Sequence, residues 1–293
     1  IISLIDRQPV EMKITSKQIR FGAKNKKVAY LGPEGTFSHK AMLNIFSKNA
    51  KPISCSTIGG VFEAVMDNKA LLGVVPGENS TKGIIEETLE NLIKYPLKVV
   101  GSYRLPIHLC LFGRTIDSKN IKIIKSHSQP IAQAKNWLNK NFPNVIFEIE
   151  SSSAKAILST KDPSVAFIGS AEAAKRYGLK ILDRNIEDKK TNFTQFYIIC
   201  KKDVPEFAKL LKPSRTLLIL AVYDRPGVLR DILNHFADQK LNLTKLHSKK
   251  TEIEGWDYYF FLEIEALPEN DKLKKAISGI KQYCSIVRIL GIV

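Results

Sequence analysis

The sequence predicts an α/β protein in two parts, a larger one over residues 27–203 and a smaller one over 214–293. Three observations carry this. From Lys27 onward, short apolar runs alternate with amphipathic stretches, which implies a mostly parallel sheet with helices on its faces. Pro205 and Pro213 bracket a link. After it, strand, helix, strand, strand, helix, strand follow in the order of a ferredoxin-like split βαβ unit. The length of 293 residues suits about two domains, each able to bury a core.

The elements follow in chain order. Residues 1–26 have no clear hydrophobic period and read as a leader or linker. An apolar run at 28–31 leads through Gly32-Pro33-Glu34-Gly35-Thr36-Phe37-Ser38 into a helix carrying Ala41, Met42, Ile45 and Phe46. A run at 71–75 leads through a polar turn at 76–83 into a helix at 84–93. A run at 121–125 leads through Ser126-His127-Ser128-Gln129-Pro130 into a helix with Ile131, Ala134 and Leu138. A run at 145–149 passes Ser151, Ser152 and Ser153 into a helix at 154–158. A run at 166–168 passes Gly169 and Ser170 into a helix at 171–177. The long apolar stretch at 99–112 is expected to cross between two lobes, and the chain to return near 194–200. In the second part, strands are expected at 216–222, 243–248, 258–264 and 285–290. Helices are expected at 227–239 and 271–280, with turns at 223–226, Asn242 and 252–257.

Composition narrows the function. The net charge is +16, from 45 basic and 29 acidic side chains. The lysines are scattered and interleaved with carboxylates, which reads as a solvated surface. No helix-turn-helix, finger or RNA-binding signature accompanies them, so no nucleic-acid partner is expected. The four cysteines, Cys55, Cys110, Cys200 and Cys284, have no C-x-x-C partner. That spacing argues against zinc or disulfides and suits buried thiols in a reducing cytoplasm. The five histidines show no metal-ligand spacing. No apolar run approaches the ~20 residues of a membrane helix. Neither a metal site nor a membrane span is expected.

The five strand-to-helix junctions share one character. Small hydroxyl or glycine residues stand where a helix begins, and its unpaired N–H groups and dipole attract anions. At one junction, plain N-capping accounts for the residues. Five together, with Gly32–Ser38 and Glu78-Asn79-Ser80 dense in polar groups, point to a cleft for a small anionic ligand such as a dicarboxylate.

Several motifs make the chain resemble a known family. Gly32-Pro33-Glu34-Gly35-Thr36-Phe37-Ser38, after Val-Ala-Tyr-Leu, is similar to the opening motif of prephenate dehydratases. Val75-Pro76-Gly77-Glu78-Asn79-Ser80-Thr81-Lys82-Gly83 resembles the family's V-P-x-E-N-[ST]-x-x-G. Ser126-His127-Ser128-Gln129 resembles S-H-x-Q, and Asn192-Phe193-Thr194-Gln195-Phe196 resembles N-x-T-R-F. Residues 214–293 resemble the family's ACT domain. The resemblance extends to the dehydratase and ACT part of bifunctional chorismate mutase–prephenate dehydratases. Residues 1–26 are too short for a mutase domain, though they suit a remnant of one.

The resemblance implies a two-lobed catalytic domain like a periplasmic binding protein, followed by ACT. It implies loss of CO2 and hydroxyl from prephenate, giving phenylpyruvate, with no cofactor and no metal. Thr194 would orient and polarise the departing hydroxyl; on local grounds it only starts a strand, as β-branched residues do. Glu78 would handle the proton if burial raises its pKa; its other reading is an exposed carboxylate at a helix start. Thr36, Ser38, Asn79, Ser80, Ser170, Gln195 and Phe196 would bind substrate, while His39 and His127 would assist, cap or pack. The family's Arg after the threonine is Gln195 here, which removes a bidentate grip on a carboxylate. Either Lys82 or Lys190 compensates, or substrate binding is weakened or activity altered and Gln195→Arg would raise kcat/KM.

In the ACT domain, Gly227, Val228 and Leu229 match the usual G-A-L segment. Of E-S-R-P only Ser248 is kept, within His247-Ser248-Lys249-Lys250. L-phenylalanine is therefore one expected effector, and an ACT domain used only for dimerisation is the other reading. A homo-oligomer, dimer or tetramer, is expected either way. Alternative functions are an arogenate dehydratase, a non-aromatising prephenate decarboxylase, and a catalytically weakened amino-acid sensor.

Overall fold

A computed structural model of the chain describes residues 26–46, 50–115, 117–150, 153–201, 212–250 and 258–293. The expectations for residues 1–25, Ser151, Ser152, Pro205 and the turn at 252–257 lie outside them.

Two sheets form the two lobes of the larger part. In the first lobe, β1 (Lys27–Leu31) lies between β2 (Lys51–Cys55) and β3 (Leu72–Asn79), parallel to both. Helices α1 (Phe37–Phe46), α2 (Ile58–Met66) and α3 (Glu86–Lys94) pack beside them. Strand β5 (Lys98–Pro106) then leads across to β6 (Cys110–Gly113) of the second lobe. There the order is β10-β6-β9-β7-β8, with β7 (Ile123–Ser126), β8 (Ile146–Ile149), β9 (Val165–Gly169) and β10 (Lys180–Arg184). Its helices are α4 (Ser128–Gln133), α5 (Lys135–Asn141), α6 (Ser153–Leu158) and α7 (Ala171–Arg176). Strand β11 (Phe193–Cys200) returns to the first sheet, antiparallel between β3 and β5. The expected crossover near 99–112 and return near 194 are both present.

One local expectation was wrong and bears on the site. Residues 76–79 are not a turn opening a helix. Strand β3 continues through Asn79, pairs with the short β4 (Gly83–Ile84), and α3 begins only at Glu86. Antiparallel pairing with β11 overrides the Pro-Gly turn signal. Gly77 is the extra residue of a bulge, since Glu78 faces Gln195 while Pro76 already faces Phe196. A Cβ on Gly77 would lie 2.3 Å from a ring carbon of Tyr197, so only glycine lets that ring pack there. Strands β2 and β10 and helix α2 are absent from the sequence reading, and the single helix expected to carry Ile131, Ala134 and Leu138 is divided into α4 and α5.

The smaller part has the expected βαββαβ order. Its elements are β12 (Thr216–Val222), α8 (Val228–Asp238), β13 (Leu243–Lys250), β14 (Tyr258–Ile264), α9 (Asp271–Ile280) and β15 (Cys284–Ile292). The antiparallel sheet runs β13-β14-β12-β15 and joins the first lobe where Gly291 meets Val99 of β5. Gly291 has φ 141°, and a Cβ there would sit 1.9 Å from the Val99 carbonyl oxygen. Strand β12 is buried along its whole length, as an unbroken apolar run requires. Leu218, Leu220 and Val222 pack on α8 and α9, with Ile232, Phe236, Leu273 and Ile280. Leu217, Ile219 and Ala221 pack the other way, against Phe62, Val65, Leu89 and Leu92 of α2 and α3. Each such large aliphatic side chain contributes about 1.5–3 kcal/mol. The small sheet is thus docked on the first lobe through its own core residues.

Ions reinforce that docking. Glu263 of β14 is buried, and its carboxylate accepts from Arg215 Nη1 (2.7 Å), Thr244 Oγ1 (2.8 Å) and Lys245 Nζ (3.1 Å). Arg288 of β15 donates to the carbonyls of Ile93 (2.9 Å) and Tyr95 (2.8 Å) at the end of α3. Burial pushes the Glu263 carboxyl up, but Lys245, Arg215 and Thr244 outweigh it, and the pKa lies below the usual 4.5. A carboxyl held below its unfolded value stabilises above that value, and this is lost as pH falls through the folded one. Urea unfolding from pH 7 to pH 3 is therefore expected to show an acid limb that Glu263→Gln flattens. The variant is also expected to lose about 3–5 kcal/mol at pH 7, from breaking a buried ion group. Parallel acid limbs in the two proteins would contradict this.

Candidate functional site

The carboxyl ends of parallel strands from both lobes face one cleft of about 800 Å³. In open α/β sheets this is where ligands bind. Strand β1 supplies the loop from Gly32 to Ser38, β2 supplies Ser54 and Ser56, and β3 supplies Pro76 and Asn79. From the second lobe, β7 leads to His127 and β9 to Gly169 and Ser170.

Thr194 and Asn79 stand opposite each other on β11 and β3. The side-chain oxygen of Asn79 accepts from the backbone N–H of Thr81 (3.1 Å) and Lys82 (3.3 Å) and from the Thr81 hydroxyl (2.5 Å). Backbone N–H groups only donate, so the orientation of the Asn79 amide is forced. Its nitrogen must face the other way. It donates to Thr194 Oγ1 (3.0 Å), Asn192 Oδ1 (3.1 Å) and the Phe193 carbonyl (3.2 Å). Thr194 Oγ1 is therefore an acceptor within the protein, which leaves its own proton for the cleft. Both residues are buried and line that cleft.

The other candidates divide by what their polar atoms do. Ser38 is nearly buried and lines the cleft, with no side-chain bond among the described residues. Phe196 lines it as an apolar wall. Thr36 caps α1, accepting from His39 N (3.2 Å) and donating to the Leu31 carbonyl (3.1 Å). Ser170 caps α7 and donates to the Gly35 carbonyl (2.8 Å), so its hydroxyl ties one lobe to the other. Lys40 and Glu172, 2.8 Å apart, make a second such tie. Ser80 is exposed and bonds Phe193 N and Asn192, fastening β3 to β11 at the edge of the site.

His39 and His127 both cap. His39 Nδ1 accepts from Gly35 N (3.1 Å) and its ring stacks on Tyr30. His127 Nδ1 accepts from Gln129 N (3.2 Å) at the start of α4. Burial lowers the pKa of each; Arg176 adds to this at His39, against Glu34, and Lys82 adds to it at His127. A neutral His127 with Nδ1 accepting carries its proton on Nε2.

Glu78 and Gln195 do not meet the expectation of facing a ligand. Successive residues of a strand point to opposite faces. With Asn79, Thr194 and Phe196 on the cleft side, Glu78 and Gln195 lie beneath the sheet. Gln195 Nε2 donates to Ser102 Oγ (3.1 Å), and the Glu78 carboxylate bonds Lys245 Nζ (2.5 Å) of the small sheet. An Arg at 195 would stand on that same face, so replacing it with Gln removes no grip inside the cleft. Lys190 is exposed, and neither it nor Lys82 lines the cleft.

Lys155, Ser54, Ser56 and Gln133 line the cleft without having been expected there, and Gln129 of the Ser-His-Ser-Gln motif lines it as well. Lys155 places a cation among the helix starts. Its signal was present, two residues past the Ser151–Ser153 run at a strand-to-helix junction. The signal for Ser54 and Ser56 was the Ser-Cys-Ser-Thr stretch leading to the N-cap Thr57 of the unread α2. Gln133 Nε2 donates to Thr81 Oγ1 (3.3 Å), joining the second lobe to the Asn79 network.

In the small part, Gly227 has φ 80° and precedes α8, where a left-handed residue caps without strain. Val228 is buried in the core and Leu229 is half-buried. Ser248 is exposed on β13, two strands from β12, whose end carries the Gly227 turn. No helix among the described residues is long and apolar enough to cross a membrane, and none of their His, Cys, Asp and Glu groups forms a metal-binding cluster.

Known proteins resemble the chain along most of its length. The prephenate dehydratase family model matches residues 28–204, and the ACT domain model matches 215–282. The prephenate dehydratase of Methanocaldococcus jannaschii is 35% identical over 273 residues, covering 91% of this chain and 97% of the relative. The structure of an Arthrobacter aurescens prephenate dehydratase in complex with L-Phe aligns with TM-score 0.81 at 25% identity, over 91% of this chain and 89% of that one. GqqA, described as a novel type of quorum quenching acylase, aligns with TM-score 0.78 at 26% identity, over 91% and 97%.

The caps make a prediction about charge. A histidine held below its usual 6.5 stabilises as the neutral ring, and that contribution is lost as pH falls through the lowered value. NMR titration is expected to give midpoints below 6.5 for both His39 and His127. A midpoint above 7 for either would contradict its role as a neutral acceptor cap.

Proposed function

The chain belongs to the prephenate dehydratase family, and we propose that it converts prephenate to phenylpyruvate in this cleft, as a carbon–oxygen lyase of phenylalanine biosynthesis. The observation that carries this reading is the Thr194 hydroxyl. The Asn79 amide fixes it as an acceptor, so its proton points where a leaving hydroxyl can be met.

Prephenate brings two carboxylates, a ring hydroxyl and a cyclohexadiene. The C–CO2 bond breaks, its electron pair enters the ring, and the hydroxyl leaves as the ring becomes aromatic. One proton converts the departing hydroxide to water. Aromatisation drives the step, so the protein must chiefly hold the carboxylates and stabilise charge on the departing oxygen. Helix starts at Ser38, His127 and Ser170, with the Lys155 ammonium, suit the carboxylates. Thr194 donates to the leaving oxygen; a threonine is too weak an acid to give up the proton outright. The Nε2–H of His127 is a second donor on the cleft wall. Glu78, bonded to Lys245 beneath the sheet, takes no direct part in proton transfer.

The small part is proposed as an ACT domain that pairs two subunits and answers to L-phenylalanine, the ligand in the Arthrobacter complex. The Gly227 turn supports it, because a bare backbone at a helix start lets an amino acid approach. A cytoplasmic location follows from the proposed pathway.

Phenylpyruvate formation from purified prephenate tests the activity. Thr194→Val keeps the shape and removes the donor, and is expected to lower kcat by on the order of 100-fold with the fold intact by circular dichroism. Wild-type turnover at the uncatalysed rate would overturn the assignment. Turnover by the Thr194→Val variant equal to wild type would overturn the role of the hydroxyl.

A further inference from the structure

We propose that Lys245, in the small C-terminal sheet, is a positioning residue for the reaction, holding Glu78 so that the adjacent Asn79 aims the Thr194 hydroxyl. The inference rests on the dehydratase reading for its chemistry, and on the structure alone for its mechanics.

Lys245 stands 167 residues from Glu78 in sequence, yet its Nζ lies 2.5 Å from Glu78 Oε2. The ion pair is shielded, with the side chains 15% and 25% exposed. On its other side Lys245 bonds Glu263, which is itself 2% exposed and fixed by Arg215 and Thr244. Lys245 therefore has little freedom, and neither does the carboxylate it holds.

Glu78 and Asn79 are neighbours on β3, on opposite faces, immediately after the Gly77 bulge. A bulge leaves one residue without its ladder partner and sharpens the local twist; just beyond it Glu78 and Asn79 pair with Gln195 and Thr194 on one side and only with the two-residue β4 on the other. Above the sheet, Asn79 Oδ1 is held by the Thr81 and Lys82 N–H groups. Below it, Lys245 holds Glu78. Releasing the lower anchor lets β3 roll about its axis, and the Asn79 nitrogen then swings relative to Thr194 Oγ1. Cleft chemistry thereby depends on the small sheet being docked, although that sheet contributes nothing to the cleft lining.

A second contact of the same strand is a control. Lys249 bonds Glu86, 2.8 Å away, and Glu90, but these carboxylates are 59% and 57% exposed and sit on α3, away from the Asn79 network. A role limited to docking would make any loss of kcat follow the loss of stability in each variant, whichever lysine is removed.

The experiment compares Lys245→Met, Lys245→Arg, Glu78→Gln, the Lys245→Met/Glu78→Gln pair and Lys249→Met in the full chain. It reads kcat and KM for phenylpyruvate formation and amide hydrogen exchange by mass spectrometry, below each variant's melting temperature. Lys245→Met is expected to lower kcat about tenfold or more, the scale of sub-ångström misplacement, with KM within about twofold. Lys245→Arg recovers most of it, and the double variant is no slower than Lys245→Met alone. Exchange rises at residues 78–81 and 193–195 in Lys245→Met and stays at wild-type level there in Lys249→Met. Wild-type kcat in an active, folded Lys245→Met would overturn the inference, as would equal exchange at those segments in the two lysine variants. If wild type itself makes no phenylpyruvate, the dehydratase reading fails, and the exchange data still decide whether Lys245 anchors the Asn79 strand.

Discussion

The antiparallel pairing of β3 with β11 governs nearly everything at the site. Both strands are buried on both faces; on the upper one Pro76, Asn79, Thr194 and Phe196 reach the cleft while Leu72, Val74 and Ile198 pack in the core of the lobe, and the lower one faces the helices and the small sheet. Register places Thr194 opposite Asn79, and the Gly77 bulge keeps Pro76 and Asn79 on the same side as Thr194 and Phe196. The same alternation sends Glu78, Gln195 and Tyr197 downward. A one-residue slip would exchange the two sets, putting the amide and hydroxyl into the interface and a carboxylate into the cleft.

The lower face is an unusual environment for charge. Glu78 and Glu263 share Lys245 there, with Arg215 balancing the second carboxylate. Burial, with those two carboxylates adding to it, pushes the Tyr197 phenol far up, so it stays protonated. Each ion is tolerable because it is paired, and removing any one leaves an opposite charge stranded in a poorly solvated space. Apolar residues of β12 supply attraction without direction, while the ions set which groups meet. That division of labour explains how a small sheet can be firmly docked and still be specific about what it holds.

Above the sheet, the lobes are joined by short polar ties. Ser170 to Gly35, Lys40 to Glu172 and Gln133 to Thr81 each connect an element of one lobe to the other. Several hydroxyls that look like ligand-binding groups are thus engaged in capping and bridging. Ser38, Thr194 and Lys155 line the same cleft, beside the starts of α1, α4 and α7.

The sequence by itself determined the alternation of strands and helices, the crossover between lobes and the βαββαβ tail, and it marked Asn79 and Thr194 in two separate short motifs. These are local or periodic properties, written within a few residues by apolar spacing and capping chemistry. Residues 76–79 were misread because a Pro-Gly pair signals a turn locally, whereas pairing with a strand more than a hundred residues away made it a bulge. Only the tertiary structure decided which face of β3 and β11 looks into the cleft. It also decided that Gln195 and Glu78 look out of it, and that Lys245 meets Glu78. A strand's period reveals that neighbours oppose each other, but what lies on either side depends on packing between segments far apart in the chain.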